Sequence, residues 1–171
     1  MLIPAPRFDC RGSFFNSDRF QTHRYSVNLP GKNILIQNMA TIKTTYLGGL
    51  RTEATHLQSG TTILTDAPVD NKGKGEAFSP TDLLAEALAG CILTTMAIAA
   101  DLHGIDMDNT TAEVTKVMAP NPRRVAEVIV ALKFPKTYSE KEVKVLELAA
   151  TTCPVAISLH PDVKKTIDFG W

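Results

Sequence analysis

Short β-branched runs recur along this chain, and one long stretch breaks that rhythm. "LLAEALAGCILTTMAIAADLHG", Leu83 to Gly104, is apolar enough to be buried all the way round. Just before it, Ser79-Pro80-Thr81-Asp82 supplies a complete helix start. There is an N-cap hydroxyl, a proline at the first helical position, where no N–H is missed, and a carboxylate three residues beyond the cap. The pattern predicts a helix running to His103 and stopped by Gly104. Ahead of it, "ATIKTTYLGG", "LRTEATHL" and "TTILTDAP" read as an antiparallel meander broken at Gly48-Gly49 and Gln58-Ser59-Gly60. "VDNKGKGEAF" is a Gly/Lys loop without the spacing of a phosphate cradle, and is expected to be a flexible lead-in to the helix.

After the helix, "TTAEVTKVMA" and "RRVAEVIVALKF" form a hairpin around Pro120-Asn121-Pro122. Ser139-Glu140-Lys141-Glu142 is a second capping box and opens a helix through Ala150. Cys153-Pro154 starts a short helix, and "KKTIDFGW" closes the chain as a strand. The order βββ-α-ββ-αα-β groups its helices between hairpins, which indicates an α+β fold rather than a doubly wound sheet. Residues 1–38 stand apart, with four of the seven phenylalanines and four of the seven arginines. They are read as an N-terminal extension, holding a hairpin in "YSVNLPGKNILIQN", ahead of a single domain over 39–171 with Met39 as its functional start.

Equal numbers of acidic and basic residues give zero formal charge, so nothing in the composition favours nucleic acid or an anionic membrane. The long apolar segment carries Glu86 and two threonines and has no flanking basic residues, which favours a core helix over a lipid span. Cys10, Cys91 and Cys153 make no disulfide framework, and no signal peptide opens the chain, so a reducing, cytoplasmic setting is expected. The histidines and cysteines show no metal-ligand spacing, and no metal or cofactor is expected.

That leaves the thiols. On a 3.6-residue period Cys91 shares a stripe with Leu84, Ala87, Leu88, Thr94, Thr95 and Ile98. Gly90 beside it points to close approach of another backbone. A lone cysteine in such a helix is most simply a small buried hydrophobe. Cys153 changes the picture, because an N-cap position favours a thiolate and can depress its pKa. Two such thiols suit a reversible dithiol/disulfide couple, if the fold brings the sulfurs together. A thiolate on an apolar seam also needs a positive charge. Among the three arginines beyond Met39, Arg51 is the best placed, at a strand start after Gly48-Gly49-Leu50.

"AFSPTDLLAEALAGCILTTM" followed by "ATTCPVAISLHP" resembles the OsmC/Ohr family, the osmotically inducible and organic-hydroperoxide-resistance proteins, and most closely its OsmC-like members. The resemblance covers about residues 40–171 and takes in "YLGGLRTEATH" and "TDAPVDNKGKGEAFSP". It implies the OsmC-like fold, antiparallel sheets wrapped around long central helices in an intertwined homodimer, and reduction of organic hydroperoxides without metal or flavin. Carried over, Cys91 is the peroxidatic thiolate, Cys153 the resolving thiol and Arg51 the arginine that polarises both thiolate and peroxide. Thr81, Leu84, Leu88 and Ile98 are the expected substrate contacts, and a lipoyl-type dithiol the reductant. Two departures stand out. The arginine follows Gly-Gly-Leu rather than the glycines directly, and Thr81 occupies the position where better characterised branches have the glutamate that holds the arginine. A non-catalytic dimeric binding protein and a redox sensor are the competing readings.

Overall fold

The computed structural model of the chain describes residues 24–29, 32–37 and 40–171. Strands β1 (Arg24–Leu29) and β2 (Lys32–Gln37) pair antiparallel in a small sheet of their own, as the hairpin pattern predicts. The turn expected at Pro30-Gly31, the boundary at Met39 and Cys10 lie outside the described residues.

The long helix α1 runs Pro80–His103, with both ends where the capping pattern puts them. Ser79 Oγ accepts the Asp82 N–H at 3.1 Å, and Asp82 Oδ2 accepts the Ser79 N–H at 2.7 Å, so two otherwise orphaned amides are satisfied. Gly104 ends the helix in the left-handed region, φ 66°, where its N–H caps the last turn. Ala85, Leu88, Ala89, Ile92, Met96 and Ala100 recur at three- and four-residue steps and form the buried face.

That face packs on a sheet of β6 (Thr111–Pro120), β7 (Arg123–Lys133) and β8 (Lys164–Gly170), and on α2 (Glu140–Thr151) and α3 (Pro154–Ser158). Strand β7 buries Val128, Val130 and Leu132 in alternation. A bulge opposite Val117 and Met118 shifts the phase, so that Val125 also turns inward. One expectation needs correcting, because this sheet is not wholly antiparallel: β8 pairs parallel with β7. The reason is topological. Two helices intervene, and such a crossover carries the chain back to the end of the sheet where β7 began.

The meander β3 (Ile42–Gly48), β4 (Arg51–His56) and β5 (Thr62–Asp66) forms a separate antiparallel sheet. It makes no extensive contact with α1. Ile42, Tyr46 and Ile63 are 58, 65 and 47% exposed. A three-stranded sheet with apolar residues this open needs a partner surface. Helix α1 offers one, since Leu84, Ala87, Thr94, Ala97, Ile98 and Leu102 are exposed along its outer side. The helix is long and apolar enough to cross a bilayer, yet its inner side is committed to the core just described.

The loop between β5 and α1 is more than the flexible lead-in expected from its glycines. Its backbone is tied down by Ala67 N–H to Leu50 O at 3.2 Å, Gly73 N–H to Pro68 O at 3.0 Å and Asp66 N–H to Phe78 O at 3.1 Å. At Gly73 a Cβ would lie 1.6 Å from Ala67 O, so only glycine allows this closure.

Ser79 is almost fully buried and carries the N-cap of α1. Ser79→Ala is expected to destabilise the chain by about 1–2 kcal/mol, read as a lower urea midpoint with an unchanged slope.

Candidate active site

Two helices bring the thiols together. Cys91 sits mid-helix on α1, half-buried, while Cys153 is the N-cap of α3 and fully buried. Both are free thiols, and across the α1–α3 contact they lie close enough for the ionisation of each to depend on the other. Pro154 at the first position of α3 gives up no needed N–H, and the next two amides face the sulfurs. The Ala156 N–H donates to Cys153 Sγ at 3.4 Å. Thr95, one turn along α1, donates its hydroxyl to the Cys91 carbonyl at 2.8 Å and lies beside the Cys91 sulfur.

The two thiols are not equivalent. Burial opposes ionisation of Cys91, but the Cys153 thiol and then the Val155 N–H outweigh it and hold the Cys91 pKa below its ordinary value of 9.0. For Cys153, burial and then the partnership with Cys91 push the pKa up, despite the Ala156 and Val155 amides. The N-cap amides, expected to depress the Cys153 pKa, are outweighed there. The more deeply buried sulfur is the worse host for charge. The arrangement favours Cys91 as nucleophile and Cys153 as the proton-bearing partner.

The other expected site residues are distributed differently. Leu84 and Ile98 lie one heptad either side of Cys91 on the exposed stripe, 37 and 60% accessible. Leu88 does not face this wall, because it is completely buried in the core of its own chain. Thr81 is ten residues, about 15 Å, from Cys91 along the helix. It accepts from Lys116 Nζ at 2.8 Å, and the same ammonium reaches Asp82 Oδ1 at 2.6 Å and Ser79 Oγ at 3.2 Å. Asp82 is thereby held ionised: burial works against its charge, but the Lys116 and Ser79 donors bring its pKa below the usual carboxylate value.

Arg51 is not brought to Cys91 within one chain. It stands on the separate β3–β5 sheet, and its carboxylate partners there are Asp66 and Glu76. Gly90 likewise receives no backbone from its own chain. Only the Glu86 side chain, at 3.1 Å, comes near the place of its missing Cβ. Among the described residues no three His, Cys, Asp or Glu side chains gather into a metal-binding group. Sequence reasoning did not assign roles to Asp66, Glu76, Lys116, Thr95 or the Val155 amide. Thr95 and Val155 carry a local signal, at i+4 from Cys91 and i+2 from Cys153, whereas the first three meet their partners only through the fold.

Comparison with known proteins places this geometry in a family. A model of the OsmC-like protein family matches residues 73–168. A crystal structure from Psychrobacter arcticus 273-4, of a protein associated with osmotic stress induction and detoxification response, is 56% identical with a TM-score of 0.76. The match covers 78% of this chain and 98% of that one. An OsmC-like protein from Mycoplasma pneumoniae is 20% identical, TM-score 0.65, covering 78 and 97% of the two chains. An organic hydroperoxide resistance protein OsmC from Legionella pneumophila is 16% identical, TM-score 0.62, covering 80 and 99%. The last two share the fold. No curated protein matches the chain.

The neighbouring Cys153 thiol lowers the pKa of Cys91. The midpoint of the pH–rate profile for alkylation of Cys91 by iodoacetamide is expected below 9.0. Cys153→Ala should move it upward, since the donor to the thiolate is lost, and Cys153→Ser should move it less, since a hydroxyl still donates. An unmoved midpoint in Cys153→Ala would remove Cys153 as the activating donor.

Proposed function

The chain belongs to the OsmC-like protein family, and on that premise we propose that it is a thiol-dependent peroxidase reducing organic hydroperoxides to alcohols. The observation that carries this reading is the polarised pair, a half-buried Cys91 with a lowered pKa beside a fully buried Cys153 with a raised one. The Cys91 thiolate attacks the distal oxygen of ROOH, the O–O bond breaks, and the alkoxide leaves and takes a proton to give ROH. Cys91 is then a sulfenic acid. The Cys153 sulfur displaces its hydroxyl as water, forming a disulfide. An external dithiol, of lipoyl type, reduces that disulfide by exchange and becomes oxidised itself.

Leu84 and Ile98 flank Cys91 on the exposed stripe, which supports an apolar organic substrate over hydrogen peroxide, because burial of an alkyl group adds binding. The working unit is a homodimer, in which a second copy covers the outer side of α1 and the open β3–β5 sheet. This also supplies the missing charge: Arg51 of one chain would serve Cys91 of the partner subunit. A reducing compartment such as the cytoplasm would keep both thiols free between turnovers. A redox-sensing role is the second reading, favoured by the two carboxylates that already neutralise Arg51. It would show oxidation without repeated turnover.

Reduced protein treated with cumene hydroperoxide is expected to lose two thiols per alcohol formed and to show a Cys91–Cys153 disulfide by mass spectrometry. Cys91→Ser should abolish peroxide consumption, and Cys153→Ser should stop after one event with a dimedone-reactive Cys91. Turnover that survives in Cys91→Ser would sink the peroxidase reading. For the assembly, light scattering after size exclusion should give twice the chain mass. Ile98→Lys, placing charge on the outer side of α1, should shift it toward the monomer.

A further inference from the structure

Arg51 opens β4 directly opposite Asp66, the last residue of β5, in antiparallel register. Asp66 is fully buried, which a carboxylate tolerates only with partners. Its Oδ2 accepts the Glu76 N–H at 3.0 Å and lies 3.5 Å from Arg51 Nη2. The Glu76 carboxylate closes on that same Nη2. Glu76 arrives there because the loop is folded back on the strand end by the backbone bonds from Ala67, Gly73 and Asp66, and because Gly73 lets it close. Both carboxylates grip one terminal nitrogen, and Nε, buried, has no partner among the described residues. Thr81 cannot take a share in this, since its hydroxyl is engaged with Lys116 and Ser79.

We propose that Asp66 and Glu76 are the positioning residues of Arg51, fixing one side of the guanidinium so that its remaining N–H groups are presented to the thiolate and peroxide at the subunit interface. The proposal rests on the peroxidase reading. Asp66 sets the direction of the guanidinium from inside the sheet, and Glu76 closes it from the loop. Neither carboxylate touches substrate. Two carboxylates on one guanidinium also resist collapse of Arg51 onto a stray anion, because an incoming anion meets their charge on that side.

The test is a double-mutant cycle on the full-length dimer, with cumene hydroperoxide and dihydrolipoamide as substrates and circular-dichroism melting as the fold control. Arg51→Gln, Glu76→Gln and Asp66→Asn are each expected to lower kcat/KM by about tenfold to a hundredfold, the scale of one lost charge-assisted hydrogen bond in the transition state. Glu76 lies on an exposed loop, so Glu76→Gln should leave the melting curve unchanged and keeps the test open if buried Asp66→Asn folds poorly. Glu76→Asp should recover part of the loss. In the Arg51→Gln background, Glu76→Gln should do nothing further, since a positioning residue acts only through what it positions. Full activity in Glu76→Gln, or an equal loss on top of Arg51→Gln, would overturn the assignment while leaving the peroxidase reading intact. A wild-type protein without turnover would overturn both.

Discussion

Helix α1 carries apolar surface on every side, and one chain covers only part of it. The inner stripe from Ala85 to Ala100 is matched by β6–β8, α2 and α3, while the outer stripe through Leu84, Ala87, Ile98 and Leu102 is left to solvent. The β3–β5 sheet presents the complementary problem, strands with exposed Ile42, Tyr46 and Ile63 and nothing extensive to pack on. Hydrophobic surface of this extent drives association. It also explains why Cys91, at the edge between the inner and outer stripes, is neither core nor surface.

That intermediate position governs the thiol chemistry. A cysteine deep in the core would be inert, and one in open water would gain nothing from nearby donors. Cys91 lies where the first turn of α3 can aim an amide and a second thiol at it, and where one side stays open to reagent. Cys153 bears the other half of the asymmetry. Its complete burial keeps the proton on it until the partner sulfur has reacted. The N-cap of α3 thus helps the thiol across from it more than its own.

The charge cluster around Arg51 obeys a similar logic. A buried Asp66 requires a cation, and the register of β4 and β5 puts Arg51 directly across from it. Glu76 N–H and Arg51 together hold the Asp66 pKa below its ordinary value, against the effect of burial. The loop that the sequence presents as a string of glycines and lysines acquires its shape from these same contacts.

What the sequence determined by itself is the set of features fixed within a few residues. The ends of α1, the capping boxes at Ser79 and Ser139, the hairpins and the helical seats of both cysteines all follow from short-range hydrogen bonds and from periodicity. Tertiary structure decided the rest. The parallel placement of β8, the burial of Leu88, the polarity of the thiol pair and the gathering of Asp66 and Glu76 on Arg51 depend on segments that meet only after folding. Cys91 and Cys153 carry the same side chain, and nothing in their local spacing ranks one sulfur above the other. The depth at which each sulfur is buried, and the donors that face it, separate the two, with the Cys91 pKa below its ordinary value and the Cys153 pKa above.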